Sequence, residues 1–206
     1  MEIEYKGANC VVIKNKNALI VVDPTTNVSV KSAEDPNAVV LATQEKFAKS
    51  ERDAKNFVID MPGEYEHNDV SVRGIQTHVH TDKDGKNGTM YRIETKDARI
   101  AVIGHADAPL NDNDLEDLGV IDILIIPVGG GGYTLDAKDA TTIARQISPK
   151  VVIPTHFSDD KIKYDVPQES VDNFIKEIGG AHEKMNSFKI KNMPLVMTVI
   201  ELARTM

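Results

Sequence analysis

The residues best equipped for chemistry in this chain are its histidines and one short lysine-bearing stretch. His78-Val79-His80 sets two imidazoles at i and i+2. In a strand that spacing points both to one face, where they could meet a single ion. His105 and His156 each come directly after an apolar run, at a strand end, so the four histidines together could hold one zinc or another divalent metal. The competing reading of His78 and His80 is a pair of solvent-facing side chains entering the polar stretch 81–88. Gln44, Lys46 and Lys49 suggest different chemistry. With His105 and His156 they could form a pocket for a small anion, the ammonium groups acting as compact point charges. Against this, the signs alternate from Glu45 to Lys55, the pattern of a solvated turn. Gly129-Gly130-Gly131-Gly132 could offer backbone N–H groups to an anion, but the spacing is not a P-loop and Asp136 follows at a helix start; a tight strand-to-helix connection is the better reading. His156-Phe157-Ser158-Asp159 brings triad residue types together only in sequence, which is not the geometry of nucleophilic catalysis. Cys10 sits in an apolar run and reads as core.

The elements that must position these residues change character along the chain. Before residue 104 the pattern is β-branched and strand-like: Cys10–Ile13 and Ala18–Val22 flank Lys14-Asn15-Lys16-Asn17 as a hairpin, and further strands are expected at Val39–Ala42, Asn56–Ile59, Val70–Val79, Met90–Glu94 and Arg99–Ile103. After it, helices alternate with buried strands. Asn111–Leu118 is a short helix stopped by Gly119, and Ile121–Pro127 is an apolar strand. Asp136 caps a helix with Ala140, Ile143, Ala144 and Ile147 on one face. Val151–Ile153 is another strand. Pro167 suits the first turn of a helix carrying Val171, Phe174, Ile175 and Ile178, and Leu195–Leu202 is a last strand. Strands first, then strands alternating with helices, predict an α/β protein with two stacked sheets and helices outside, an αββα sandwich.

Composition excludes several classes. A length of 206 residues suffices for one well-buried domain, expected to span 1–206. The net charge of −8 argues against broad binding of nucleic acid or of an anionic membrane. A single cysteine rules out an intrachain disulfide and a thiolate metal site, which fits a reducing cytoplasm. Met1 to Lys6 has no signal-peptide core, and the longest apolar run, Val120 to Val128, contains Asp122 and Pro127 and is too short to span a bilayer.

Several blocks, in order, carry a resemblance: Gly7-Ala8-Asn9-Cys10-Val11, Val21-Val22-Asp23-Pro24, Pro62-Gly63-Glu64-Tyr65-Glu66, Gly74-Ile75-Gln76-Thr77-His78, Ile121–Gly130 with Tyr133-Thr134-Leu135-Asp136-Ala137, and Val152-Ile153-Pro154-Thr155-His156-Phe157. Together they resemble the metallo-β-lactamase fold superfamily, in particular its small branch of zinc-dependent hydrolases that is L-ascorbate-6-phosphate lactonase-like. The resemblance implies a metal pair bridged by hydroxide, held by imidazoles and carboxylates, activating water and polarising a carbonyl or phosphoryl group. Carried over position by position, it fails at the loop after Val39–Thr43, where the family places His-x-His-x-Asp-His. The four ligand positions read Gln44, Lys46, Ala48 and Lys49. A later bridging aspartate aligns with His105, and only His78 (or His80) and His156 stand where the family has ligands. A dication pair needs anionic donors. The expectation is therefore a hydrolase scaffold without its dinuclear zinc site and with no metal cofactor, a binding or regulatory pseudoenzyme whose partner is a small anionic molecule or a protein. The alternative is a hydrolase of a small phosphoester, lactone or related substrate working on one metal at His78, His80, His105 and His156.

Overall fold

The computed structural model describes residues 1–25, 28, 35–48, 56–79, 88–191 and 193–205. The chain opens with β1 (Glu2–Gly7), β2 (Cys10–Lys14), β3 (Leu19–Val22) and β4 (Ala38–Leu41), followed by the four-residue α1 (Glu45–Ala48) and β5 (Phe57–Ile59). Next come β6 (Gly63–His67), β7 (Val70–Thr77), β8 (Gly88–Glu94) and β9 (Arg99–Val102). The second half holds α2 (Asp112–Leu118), β10 (Ile123–Pro127), α3 (Ala137–Ile147), β11 (Val151–Thr155), α4 (Val171–Ile178), β12 (Ala181–Met185), β13 (Phe188–Lys189) and β14 (Thr198–Leu202).

Among the described residues the strands form two sheets. One runs β13-β1-β2-β3-β4-β5 and the other β12-β14-β11-β10-β9-β8-β7-β6. Inward side chains of both, including Ile13, Ile20, Tyr91, Ile100, Ile125 and Ile153, share one buried layer between the sheets. The outer face of the larger sheet packs Leu124, Ile126 and Val152 against Ile143 and Ala144 of α3 and Phe174 and Ile178 of α4. β10 is covered on both faces, so all five of its residues are buried, as a central parallel strand requires. Cys10, Val12 and Val21, on the outer face of the smaller sheet, pack against Ile162. The expected two-sheet α/β architecture is what forms.

Helix ends follow local chemistry. Asp136 caps α3 by accepting from Asp139 N, and Asn111 and Asp114 form a reciprocal capping box on α2. At α4 the expectation needs correction: Ser170, not Pro167, starts the helix, its side chain accepting from Asp172 N. The last strand begins at Thr198, three residues later than its apolar run, and Leu195 and Val196 are exposed. β7 stops at Thr77; Val79 makes only an isolated bridge to Ala106. Strands β1, β6, β12 and β13 were not expected. β6 and β12 are sheet edges and carry the charged sequences Gly-Glu-Tyr-Glu-His and Ala-His-Glu-Lys-Met, so no apolar alternation announces them. Of the polar stretch read at 81–88, residues 81–87 lie outside the described residues, and Gly88 begins β8. Among the described residues no helix is long and apolar enough to cross a membrane.

Candidate functional site

A buried hydrogen-bond frame closes one end of the two sheets. Asp23, just after β3, is fully buried; its Oδ1 accepts from Thr43 N at 2.7 Å, and its Oδ2 from Thr43 Oγ1 at 2.6 Å and Asn9 Nδ2 at 2.7 Å. Asn9 is oriented in turn by Thr155 Oγ1, which donates to its Oδ1 at 2.8 Å. The frame thus joins the β1–β2 turn, the ends of β3 and β4, and the end of β11. Thr43 is also tied to the larger sheet, because Thr89 N donates to its carbonyl at 2.9 Å and the Tyr91 hydroxyl donates to Ala42 O and Ile59 O.

Burial pushes the Asp23 carboxyl up to about 6, although the Thr43 and Asn9 donors and the Lys46 charge pull it down. A carboxyl raised in the folded state contributes stability that is fully present below its unfolded value, near 3.8, and is lost as pH rises through about 6. The unfolding free energy in urea is therefore expected to fall by about 2–3 kcal/mol between pH 4 and pH 7 from this group. The comparison that checks it is the same pH series on Asp23→Asn, in which that slope disappears.

Beside the frame lies a cleft of about 270 Å³, lined among others by Asn9, Asp23, Lys46, Phe47, Tyr133, His156, Tyr164 and Gln168. Ala8, Asp23 and His156, which all border it, hold left-handed backbone angles (φ 48°, 43° and 52°). Such angles in non-glycine residues cost about 1–3 kcal/mol each and cluster at sites where geometry serves function. His156 N donates to Ala8 O at 2.7 Å, so the two strained turns hold one another.

His156 is 5% exposed. Burial, with a smaller contribution from the Lys46 charge, lowers its pKa and keeps the imidazole neutral near pH 7, although the Gln168 contact opposes the shift. Gln168 Nε2 donates to Val166 O at 2.8 Å, which turns Oε1 toward His156 Nδ1 at 3.0 Å. The imidazole therefore donates from Nδ1 and keeps its lone pair on Nε2. His105, 2% exposed, packs its ring 5.2 Å from that of His156, 5.1 Å from Tyr133 and 5.4 Å from Phe47. Tyr133 is presented by the turn at Gly130, Gly131 and Gly132, whose φ angles of 63° to 70° suit glycine. Lys46 projects from α1 to this ring: its ammonium donates to the Tyr133 hydroxyl and lies 4.4 Å from the ring centroid. It also stands 4.9 Å from the Phe47 centroid.

Of the residues singled out in the sequence, Lys46, His105 and His156 come together. Lys46 is both solvent-exposed and part of the cleft wall. Gln44 is buried on an isolated bridge to Gly88 and is not among the cleft's lining residues. His78 is half-buried just past β7, its carbonyl accepting from Asp107 N at 2.9 Å. Lys49 and His80 lie outside the described residues. Among the described residues no three His, Cys, Asp or Glu side chains gather as one ion would require. His67 and His182 are half-buried, His182 Nε2 lying 3.0 Å from Glu201 Oε2. The glycine run is a connection, with Gly130 N donating to Leu135 O. Asn9, Asp23, Tyr133, Tyr164 and Gln168 were not foreseen as site residues. Asp23-Pro24 read only as a strand end, and the Tyr133 block drew attention only as part of the resemblance.

The profile of the β-lactamase superfamily domain matches residues 2–156. The chain belongs to that family. A curated relative from Lysinibacillus sphaericus, named a UPF0173 metal-dependent hydrolase, is 27% identical over 91% of this chain and its own full length. Among solved structures, a Thermotoga maritima protein described as a candidate zinc-dependent hydrolase of the metallo-β-lactamase superfamily superposes with a TM-score of 0.76 at 25% identity, covering 98% of this chain and 97% of its own. The metallo-β-lactamase fold protein YhfI from Bacillus subtilis matches with a TM-score of 0.61 at 13% identity, over 97% of this chain and 95% of its own. The paired sheets and their helical layer are thus the metallo-β-lactamase fold. The loop after β4 carries an amide at Gln44, an ammonium at Lys46 and a buried methyl at Ala48.

Proposed function

We propose that this member of the family binds a small anion and works without a dinuclear metal centre, as a binding or regulatory pseudoenzyme of the reducing cytoplasm. The observation that carries the reading is Lys46. Its ammonium lies in the cleft against Tyr133, and its charge acts on both Asp23 and His156. A dication within about 5 Å of that ammonium would be repelled by several kcal/mol at an effective dielectric of about 20. Neither an amide, an ammonium nor a methyl supplies the negative charge a metal pair needs. The donor set of this loop does not fit the pair. An anion, by contrast, meets a positive charge and a phenolic donor.

Elemental analysis of protein purified without chelator tests the first half: the expected result is metal far below one equivalent, and near-stoichiometric zinc, iron or manganese overturns it. Calorimetry with phenylacetate tests the second. Lys46→Met is expected to weaken binding about tenfold or more, the worth of one charge-assisted hydrogen bond; equal affinity removes Lys46 from the site.

A second reading, a hydrolase using one metal, is favoured by the 5.2 Å approach of the His105 and His156 rings and by the name of the Lysinibacillus relative. It requires His105→Ala and His156→Ala to abolish both metal uptake and turnover.

A further inference from the structure

The polar groups of the cleft are not equally available to a ligand. Asn9 and Asp23 are committed to the buried frame. The Tyr164 hydroxyl donates to Phe157 O at 2.7 Å, and both ends of the Gln168 amide are used, on Val166 and on His156. Lys163 and Asp165 are exposed, with opposite charges. Besides the Thr25 hydroxyl, the cleft wall offers a pair of donors beside an acceptor. The donors are the Lys46 ammonium and the Tyr133 hydroxyl, which accepts from Lys46 and so has its own proton to give. The acceptor is His156 Nε2, which bears a lone pair because Nδ1 is the protonated nitrogen.

We infer that the ligand is a 2-hydroxycarboxylate with an apolar or aromatic body, its carboxylate on Lys46 and Tyr133 and its hydroxyl donating to His156 Nε2. The inference rests on the cleft being the anion site proposed above and adds the chemical class. A simple carboxylate satisfies the two donors but leaves Nε2 in contact with nothing that can donate to it. A phosphomonoester dianion is less suitable still, because it has no proton to donate and would set oxygen lone pairs against the imidazole lone pair. A carboxylate with a hydroxyl on the next carbon presents both kinds of group side by side. The protein groups are close enough for this, with the Tyr133 and His156 rings 5.7 Å apart between centroids and the Lys46 ammonium 4.4 Å from the Tyr133 centroid. The remaining walls at Phe47, Ile162, Tyr164 and Val166 are aromatic or aliphatic, and about 270 Å³ leaves room for a six-membered ring.

Mandelate and phenylacetate are the decisive probes, since they share a body and a carboxylate and differ only in the hydroxyl. Calorimetric titration of the full chain at pH 7.5 is expected to show one mandelate enantiomer binding about tenfold tighter than phenylacetate, the net value of one buried hydrogen bond. His156 is buried, and its replacement could unfold the chain, so the wild-type imidazole is followed by nitrogen-15 NMR. The Nε2 resonance is expected to move on adding mandelate and to stay in place with phenylacetate. Equal affinity for the two acids, or an unmoved Nε2, overturns the hydroxycarboxylate inference. If both acids then still lose affinity in Lys46→Met, the anion site itself survives. Failure of both acids to bind overturns the two proposals together.

Discussion

Asp23→Ala is expected to lower the unfolding free energy by about 3–5 kcal/mol at pH 7. The wild-type carboxylate is itself costly to bury, as its raised pKa records, yet its removal is costlier. Three buried donors, from Thr43 N, Thr43 Oγ1 and Asn9 Nδ2, would lose their common acceptor. Each orphaned buried donor costs about 1–3 kcal/mol. Asn9 cannot rescue the site by turning its amide, because Thr155 Oγ1 already donates to Oδ1. Urea denaturation checks the value, and a loss below about 1 kcal/mol would mean that the frame relaxes around the missing group. Thr43→Val, which removes one of the three donors and leaves the carboxylate, is expected to cost less.

Gly129→Ala should destabilise the chain by about 3 kcal/mol or more and weaken ligand binding as well. A methyl group built there would lie 2.0 Å from the His156 carbonyl oxygen and 2.5 Å from Gln168 Oε1. Neither neighbour is free to retreat. The His156 backbone is fixed in a left-handed turn by its bond to Ala8 O, and Gln168 orients the imidazole. The contrast is Gly132→Ala, where a methyl meets nothing within 4 Å and only the φ of 70° opposes it. That variant should lose about 1–2 kcal/mol and keep its affinity. Chemical denaturation and phenylacetate titration of both variants separate the steric effect from the backbone one, and similar losses in the two would contradict the packing described.

How much of this was readable from residues alone depends on range. The β-branched runs at Cys10–Ile13 and Val151–Ile153, the Asp136 cap and the Gly119 stop are local signals, and they appear where expected. His105 and His156 could be placed near one another because each follows an apolar run read as a strand; in the fold those strands flank β10 in one sheet. The role of Asp23 could not be read, because its donors come from positions 9 and 43 and their orientation from position 155. Gln168 lies in an irregular segment with no periodicity, and its value to His156 comes entirely from a fold-dependent contact. Lys46 admitted two meanings in sequence because charge alternation marks solvent exposure but not the direction of a single side chain. In the fold it is exposed and faces Tyr133 at the same time.

The hydrogen bonds of the frame at the cleft end join Asn9, Asp23, Thr43 and Thr155. The hydrogen-bonded frame and the charged wall of the cleft are therefore built from different residues. Mutation could rewrite the short helix and its flanks, exchanging one chemistry for another, while the surrounding walls kept their shape. A protein so constructed can change occupation without passing through an unfolded ancestor.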